Sequence, residues 1–395
     1  MTTNASSVPG IILPAIVVSQ FAGTSLWFAG NAVLPELQQV MHLQNEALAL
    51  LTSAVQLGFI AGTFFFAFFS IADRISPRLL FLLCALLGAG ANALILPLAQ
   101  NLTGVLLLRT LTGFLLAGIY PVGMKIAAGW YSKGLGRAIG YLVGALVLGT
   151  AFPHLLRAFD GVLPWRMLLL TVSALAAAGG LAMYLLVPDG PYLKKAARFE
   201  AYNMLLAFRN NAFRRAALGY FGHMWELYTL WAFTPFIIAF ALPQLAPGEV
   251  SLWSFSVIAA GAVGCVGGGY LSQRYGSGEV AFWQLLLSGL CCLLAVVVLQ
   301  VSSEVLVLLF LLCWGVVVAG DSPQLSTLTA QTAPAHLVGT ALTVVISIGF
   351  AVTIISIQLM AFLLTRFPPY AVLPVLAIGP ALGLLSLRHL RVAKR

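Results

Sequence analysis

The sequence predicts an all-α integral membrane protein of twelve transmembrane helices, arranged as two pseudo-symmetric six-helix bundles. Three observations predict it. The 395 residues are 61% apolar and 8% charged, with a mean hydropathy of +1.01, where a soluble domain carries roughly 25% charged residues. Apolar runs of about 20 residues, the length a helix needs to cross a hydrocarbon core about 30 Å thick, recur along nearly the whole chain. Of the 20 Lys and Arg, all but Arg109, Arg157, Arg166 and Arg366 fall on one side of the membrane once these runs are threaded through it, the bias that marks a cytoplasmic face. In lipid only helices or closed barrels satisfy the backbone, and the runs do not alternate as strands do.

Taken in order, the runs cover residues 11–31, 47–70, 79–98, 104–127, 138–157, 165–187, 215–241, 250–271, 280–300, 305–328, 338–363 and 371–388. The first is read as a retained helix, because Met1 to Gly10 holds no Lys or Arg and no small-residue cleavage site follows. An even number of spans places both termini in the cytoplasm of a multi-pass cytoplasmic (inner) membrane protein. The longest hydrophilic stretch, 188–214, divides the chain into an N-terminal bundle, 1–187, and a C-terminal bundle, 215–395. Asp73, Arg74 and Arg78 follow the second span, and Arg274 follows the eighth, 200 residues after Arg74. Such parallel repeats build one class of transporter. The five cysteines lie inside apolar runs without metal-site spacing, so neither a cofactor nor a metal is expected. The net charge of +9 is scattered between spans, which excludes the contiguous basic face of a nucleic-acid binder.

Helix count, central loop and repeat together resemble the major facilitator superfamily of secondary transporters, bacterial type. Asp73, Arg74 and Arg78 look like that family's cytoplasmic latch, with Arg274 its second copy; a plain positive-inside anchor is the other reading. Phe69 stands where the family has glycine, and Gln273 where the second copy could have an acid. Arg109, Gly113 and Gly118 are similar to an element associated with proton handling. Gly140, Gly144 and Gly149 resemble the antiporter glycine motif, yet Ala145 replaces its proline, which favours uptake. Residues 319–324 and 339–343 loosely resemble nitrate, nitrite or cyanate porters, although the arginines of those porters' second and eighth spans are missing here.

Nine of the 11 acids fall in or beside loops, leaving Glu226 and Asp321 inside spans. A carboxylate at membrane depth costs several kcal/mol on insertion scales, so it faces a wet cavity, pairs, or titrates. His223 lies three residues before Glu226, on the same helical face, and is expected to share a proton with it; a structural clamp between helices is the alternative. Asp321 precedes Ser322 and Pro323, where a break or kink is expected, with Asp321 either a charged element of the site or a cap for the following segment. Arg109 either faces the cavity and binds an oxyanion, or snorkels to the interface or pairs structurally. Gln20, Thr24, Trp27 and Asn31 form a polar and aromatic stripe on the first span, and Tyr120, Trp231 and Trp314 add aromatic surface. The resemblance places spans one, four, seven and ten around the cavity, and these residues lie on them. His154 and Arg157 are read as interfacial.

These features point to a proton-coupled secondary transporter of a small polar solute, an organic anion or zwitterion, working by alternating access as a monomer in the bilayer. A drug or metabolite efflux antiporter, or a proton-independent facilitator including a nitrate-, nitrite- or cyanate-like porter, is the alternative. No His-Glu-x-x-His or paired catalytic acids appear, so the reading is not an enzyme.

Overall fold

The computed structural model describes residues 8–41, 47–131, 135–159, 164–193, 207–334 and 338–390. Lys133, Lys194, Lys195, Arg198, Arg391, Lys394 and Arg395, which contribute to the charge bias, lie outside the described residues, as does part of the 188–214 linker. Among the described residues the chain is all helical. The elements are α1 (Ile12–Thr24), α2 (Ala29–Ala32), α3 (Leu34–Met41), α4 (Ala47–Phe68), α5 (Ile71–Arg74), α6 (Pro77–Ala93), α7 (Leu102–Leu116), α8 (Tyr120–Trp130), α9 (Leu135–Arg157) and α10 (Trp165–Leu186). The second half continues with α11 (Asn211–Ala241), α12 (Pro247–Tyr275), α13 (Ser277–Val298), α14 (Glu304–Gly320), α15 (Ser322–Thr332), α16 (Val338–Leu364) and α17 (Pro369–Val372). A 3-10 turn over Leu373–Ala377 leads into α18 (Ile378–Leu387).

Ten helical stretches among the described residues are long and apolar enough to cross a membrane, and α1 and α6 are shorter apolar helices at the places of the first and third expected spans. A 22-residue helix such as α4 rises about 33 Å at 1.5 Å per residue, enough for the hydrocarbon core. The surface follows the same logic. Leu107, Val263 and Val305 are 66–67% exposed, while Gln20, Gln56, Arg109, Glu226 and Asp321 are buried. Apolar side chains face lipid, and the polar ones turn inward.

Besides the last span with its 3-10 turn, three spans are interrupted. Residues 25–28 separate α1 from α2, residues 117–119 separate α7 from α8 ahead of Pro121, and Asp321 separates α14 from α15 ahead of Pro323. The prolines supply the reason at the second and third sites, because a proline lacks the N–H that would continue the helix ladder. The break expected at Asp321 is present.

Lipid offers helices no hydrophobic drive to associate, so close backbone packing must supply it, and glycine makes that possible. Gly58 of α4 packs on the Thr110 carbonyl of α7, and Gly113 of α7 packs back on the Val55 carbonyl of α4. The same reciprocal crossing recurs about 200 residues later, where Gly264 of α12 meets the Val316 carbonyl and Gly315 of α14 meets the Val257 carbonyl. Between the two halves of the chain, α9 packs along α12 and α4 along α16. Gly140 and Gly144 sit in the first of these contacts, against Cys265, Ala262 and Val266. Gly149 of the same motif packs instead on α1 at Phe21 and Thr24.

Candidate functional site

Where α8, α9, α11, the α14–α15 break and α16 converge, they line a small central cavity of about 20 Å³, room for about one water. Its wall carries Tyr120 of α8, Tyr220, Tyr228 and Trp231 of α11, Phe350 of α16 and Ser322 of α15, with aliphatic residues of α9 completing it. Tyr120 and Trp231, expected from the sequence, are both here. Trp27 covers one end of this wall: its ring centroid lies 5.5 Å from that of Phe350 in a stacked arrangement, 5.5 Å from Tyr228 and 5.0 Å from Phe59. Phe59 and Phe350 close the cluster at 4.4 Å. Helices from both halves of the chain thus meet at one aromatic plug. The Nε1 atoms of Trp27 and Trp231 are buried and have no hydrogen-bond partner among the described residues.

The acids behave differently from the expected pairing. His223 and Glu226 share a face of α11 but take different partners. His223 Nδ1 lies 2.8 Å from Asp321 Oδ1, with both side chains buried. Glu226 Oε1 instead accepts hydrogen bonds from Ser288 Oγ at 2.5 Å, Trp314 Nε1 at 2.7 Å and Cys292 Sγ at 3.3 Å. Helical spacing fixes which residues share a face, but α13 and α14 bring the donors that claim Glu226, and the α14–α15 break brings the acid that meets His223. Asp321 makes no side-chain cap to α15, so the capping alternative is not realised. Its Oδ2 and His223 Nε2 are buried without hydrogen-bond partners among the described residues.

Arg109 is fully buried, so it does not snorkel. Its Nη1 donates to the Leu26 carbonyl at 3.1 Å and its Nη2 to the Trp27 carbonyl, the acceptors freed by the α1–α2 break. The fork therefore holds the break open and fixes the backbone of Trp27; it does not line the cavity. The rest of the first-span stripe is similarly engaged. Thr24 Oγ1 donates to the Gln20 carbonyl at 2.8 Å, Asn31 Nδ2 donates to Thr52 Oγ1 at 2.7 Å, and the Gln20 amide lies against Gly123 of α8. Trp314 serves Glu226 and also stays off the cavity wall. Arg157, read as interfacial, forms an ion pair with Glu36; His154 of the same helix end is buried.

At the opposite end of the spans, Asp73 pairs with Lys125 of α8 at 2.6 Å, and Lys125 also donates to the Ala72 carbonyl at 2.8 Å. Arg78 donates to the Tyr184 carbonyl at 3.3 Å and lies over the Tyr184 ring. Arg74 is exposed, and Arg274, also exposed, lies over Tyr275. The acid of the loop is thus latched to α8 by a lysine that the motif alone did not indicate.

Tyr220, Met224, Tyr228, Phe350 and Ser322 line the cavity without having been singled out, as Ser288 and Cys292 meet Glu226. The 200-residue repeat holds part of the missing signal: Gln20 and Thr24 of the first-span stripe correspond in position to Tyr220 and Met224.

No curated protein matches this sequence. Among solved structures the chain is similar to the E. coli fucose:proton symporter FucP, at 15% identity over 98% of this chain and 100% of that one, with a TM-score of 0.70. It is similar also to a bacterial homolog of the human lysosomal transporter Spinster in an inward-facing, unoccupied conformation, at 16% identity over 98% and 95%, TM-score 0.68. The human organic anion transporter MFSD10 (TETRAN) aligns at 17% identity over 95% and 99%, TM-score 0.73. At these identities the likeness is one of fold. The sequence profile described as Major Facilitator Superfamily matches residues 16–357, and with its helical architecture this chain belongs to that superfamily of membrane transporters.

Proposed function

We propose that the chain is a proton-coupled secondary active transporter that carries a small polar organic solute through the central cavity by alternating access. The observation that carries this reading is the buried His223–Asp321 pair, set at the break of the tenth span one residue from the cavity wall. A carboxylate and an imidazole in contact at membrane depth can hold or release one proton as hydration changes. Glu226, with three donors on one oxygen, is the second acid of the cycle. The bundles 1–187 and 215–395, joined through 188–214, rock about the cavity, with the Trp27–Phe59–Phe350 plug closing one end and Asp73, Lys125, Arg74, Arg78 and Arg274 serving the other. The charge bias supports a cytoplasmic membrane with both termini inside, and a monomer suffices, since one chain encloses the whole cavity. That a similar fold serves a fucose:proton symporter supports coupling by likeness. The case for an anionic solute rested chiefly on Arg109, whose fork is taken up by two main-chain carbonyls.

The test is flux in proteoliposomes carrying an internal pH dye, with a panel of organic cations, anions and zwitterions. Solute entry accompanied by proton movement, lost in Asp321→Asn and Glu226→Gln variants that remain folded, is the expected result. Solute flux without any pH change, or unimpaired accumulation in both variants, would overturn the coupling.

A further inference from the structure

Taking the transport reading as its basis, we infer that the cavity selects a small organic cation carrying an apolar or aromatic body, and that a proton competes with this cation for the negative charge of the His223–Asp321 pair.

The wall decides the class. Five aromatic rings, Tyr120, Tyr220, Tyr228, Trp231 and Phe350, line the small central cavity, which widens to admit a solute in the alternating-access cycle, and no Lys, Arg, Asp or Glu is among the lining residues. Aromatic faces present negative quadrupole potential and attract cations, most strongly when water is excluded. An anion finds only hydroxyl and indole N–H donors on such a wall, and no cationic side chain to replace its hydration. The buried cation nearest in the sequence reading, Arg109, donates to Leu26 and Trp27 carbonyls and does not reach the wall.

The net charge behind the wall has the matching sign. Asp321 stands between the lining residues Ala319 and Ser322, with Oδ2 unpartnered, and Tyr220 of the wall lies 6.1 Å, centroid to centroid, from the His223 ring. The titratable groups facing Asp321 are His223 and Glu226 from α11 and Cys265 from α12; α9, α13 and α16, which also pack on α15, add no further charge that acts on it. With a neutral imidazole the pair carries one net negative charge. With a protonated imidazole, or a protonated carboxyl, that charge is gone. A bound cation and a bound proton therefore exclude one another, which gives exchange of one for the other at a single site.

The test uses the purified full chain and three probes of similar shape: phenyltrimethylammonium, its uncharged isostere tert-butylbenzene, and benzenesulfonate as the anion, with binding followed by calorimetry. At about pH 8, phenyltrimethylammonium should bind at least about tenfold more tightly than tert-butylbenzene, and this preference should be smaller at about pH 5.5, where protons are more abundant competitors. In Asp321→Asn the preference should fall at least about threefold at about pH 8 and lose its pH dependence, while Trp231→Leu should weaken the cation at both pH values without removing that dependence. Equal binding of cation and isostere in the wild type, tighter binding of benzenesulfonate, or an unchanged preference in folded Asp321→Asn each overturns the inference. The two readings separate in proteoliposomes: benzenesulfonate carried with protons leaves proton-coupled transport standing and sinks the cation site, whereas phenyltrimethylammonium bound as described but moved without protons does the reverse.

Discussion

Replacing Gly58 with alanine puts a methyl group where α4 and α7 cross. The added Cβ would stand 2.7 Å from the Thr110 carbonyl carbon, nearer still to its oxygen, and 2.9 Å from the Phe114 nitrogen. Ordinary contact begins near 3.4 Å, and the obstacle is helix backbone that no rotamer change can move aside. The two helices must part by about 1 Å along their contact, which forfeits dispersion at every neighbouring pair and costs about 1–3 kcal/mol. The control is Gly90→Ala on the exposed face of α6, where an added Cβ meets nothing within 4 Å; the helix-propensity gain of about 1 kcal/mol accompanies both changes, so their difference isolates the crossing. The assay is thermal unfolding of the purified protein in one detergent, with Gly264→Ala as a third variant. The added Cβ there would lie 2.9 Å from the Val316 carbonyl carbon, so it should lose stability as Gly58→Ala does. Equal stability of Gly58→Ala and Gly90→Ala would refute the reasoning.

Three further outcomes are expected. Arg109→Lys replaces a two-pronged donor by a compact ammonium, so either the Leu26 or the Trp27 carbonyl loses its partner at about 1–3 kcal/mol; thermal unfolding reads it, and an undiminished Tm would show that the fork does not serve both. Trp314→Phe keeps the ring but removes the donor at 2.7 Å from Glu226 Oε1, costing about 1.5–3 kcal/mol if the carboxylate is charged and about 0.5–1.5 kcal/mol if it is protonated, so chemical unfolding at two pH values reports the charge of Glu226. Beyond the last helix, the positive charge of Arg215, followed by local desolvation and Arg388, holds the His389 imidazole below the ordinary histidine value. The unfolded chain therefore binds that proton more readily, which disfavours folding as pH falls through the ordinary histidine range. Histidine-resolved NMR titration should show the value rising in Arg215→Gln, and no movement would discount the Arg215 charge.

The spans were legible because their signal is a sum over some 20 residues, and no single substitution erases it. Contacts between spans are written in another way. Phe59 and Phe350 are two of 25 phenylalanines, and nothing local distinguishes the pair that stacks around Trp27. Asp321 announced its break through Pro323, yet its partner comes from α11, about 100 residues away in the chain. Glu226 and His223 shared a face as spacing requires, but a shared face does not specify a shared bond; the facing helices specify that. Arg109 looked like a ligand for oxyanions because a guanidinium usually is one. Its true acceptors are main-chain carbonyls at a break that carries no proline or glycine at residues 25–28 to mark it.

Because the guanidinium of Arg109 rests on peptide dipoles, no proton can be taken up or given away by its acceptors, and no side-chain change at Leu26 or Trp27 removes them. The Arg109 contact in the first half of the chain is thereby indifferent to acidity and to side-chain replacement at its acceptors, whereas the buried contact between His223 and Asp321 in the second half depends on two side chains, either of which a single substitution removes.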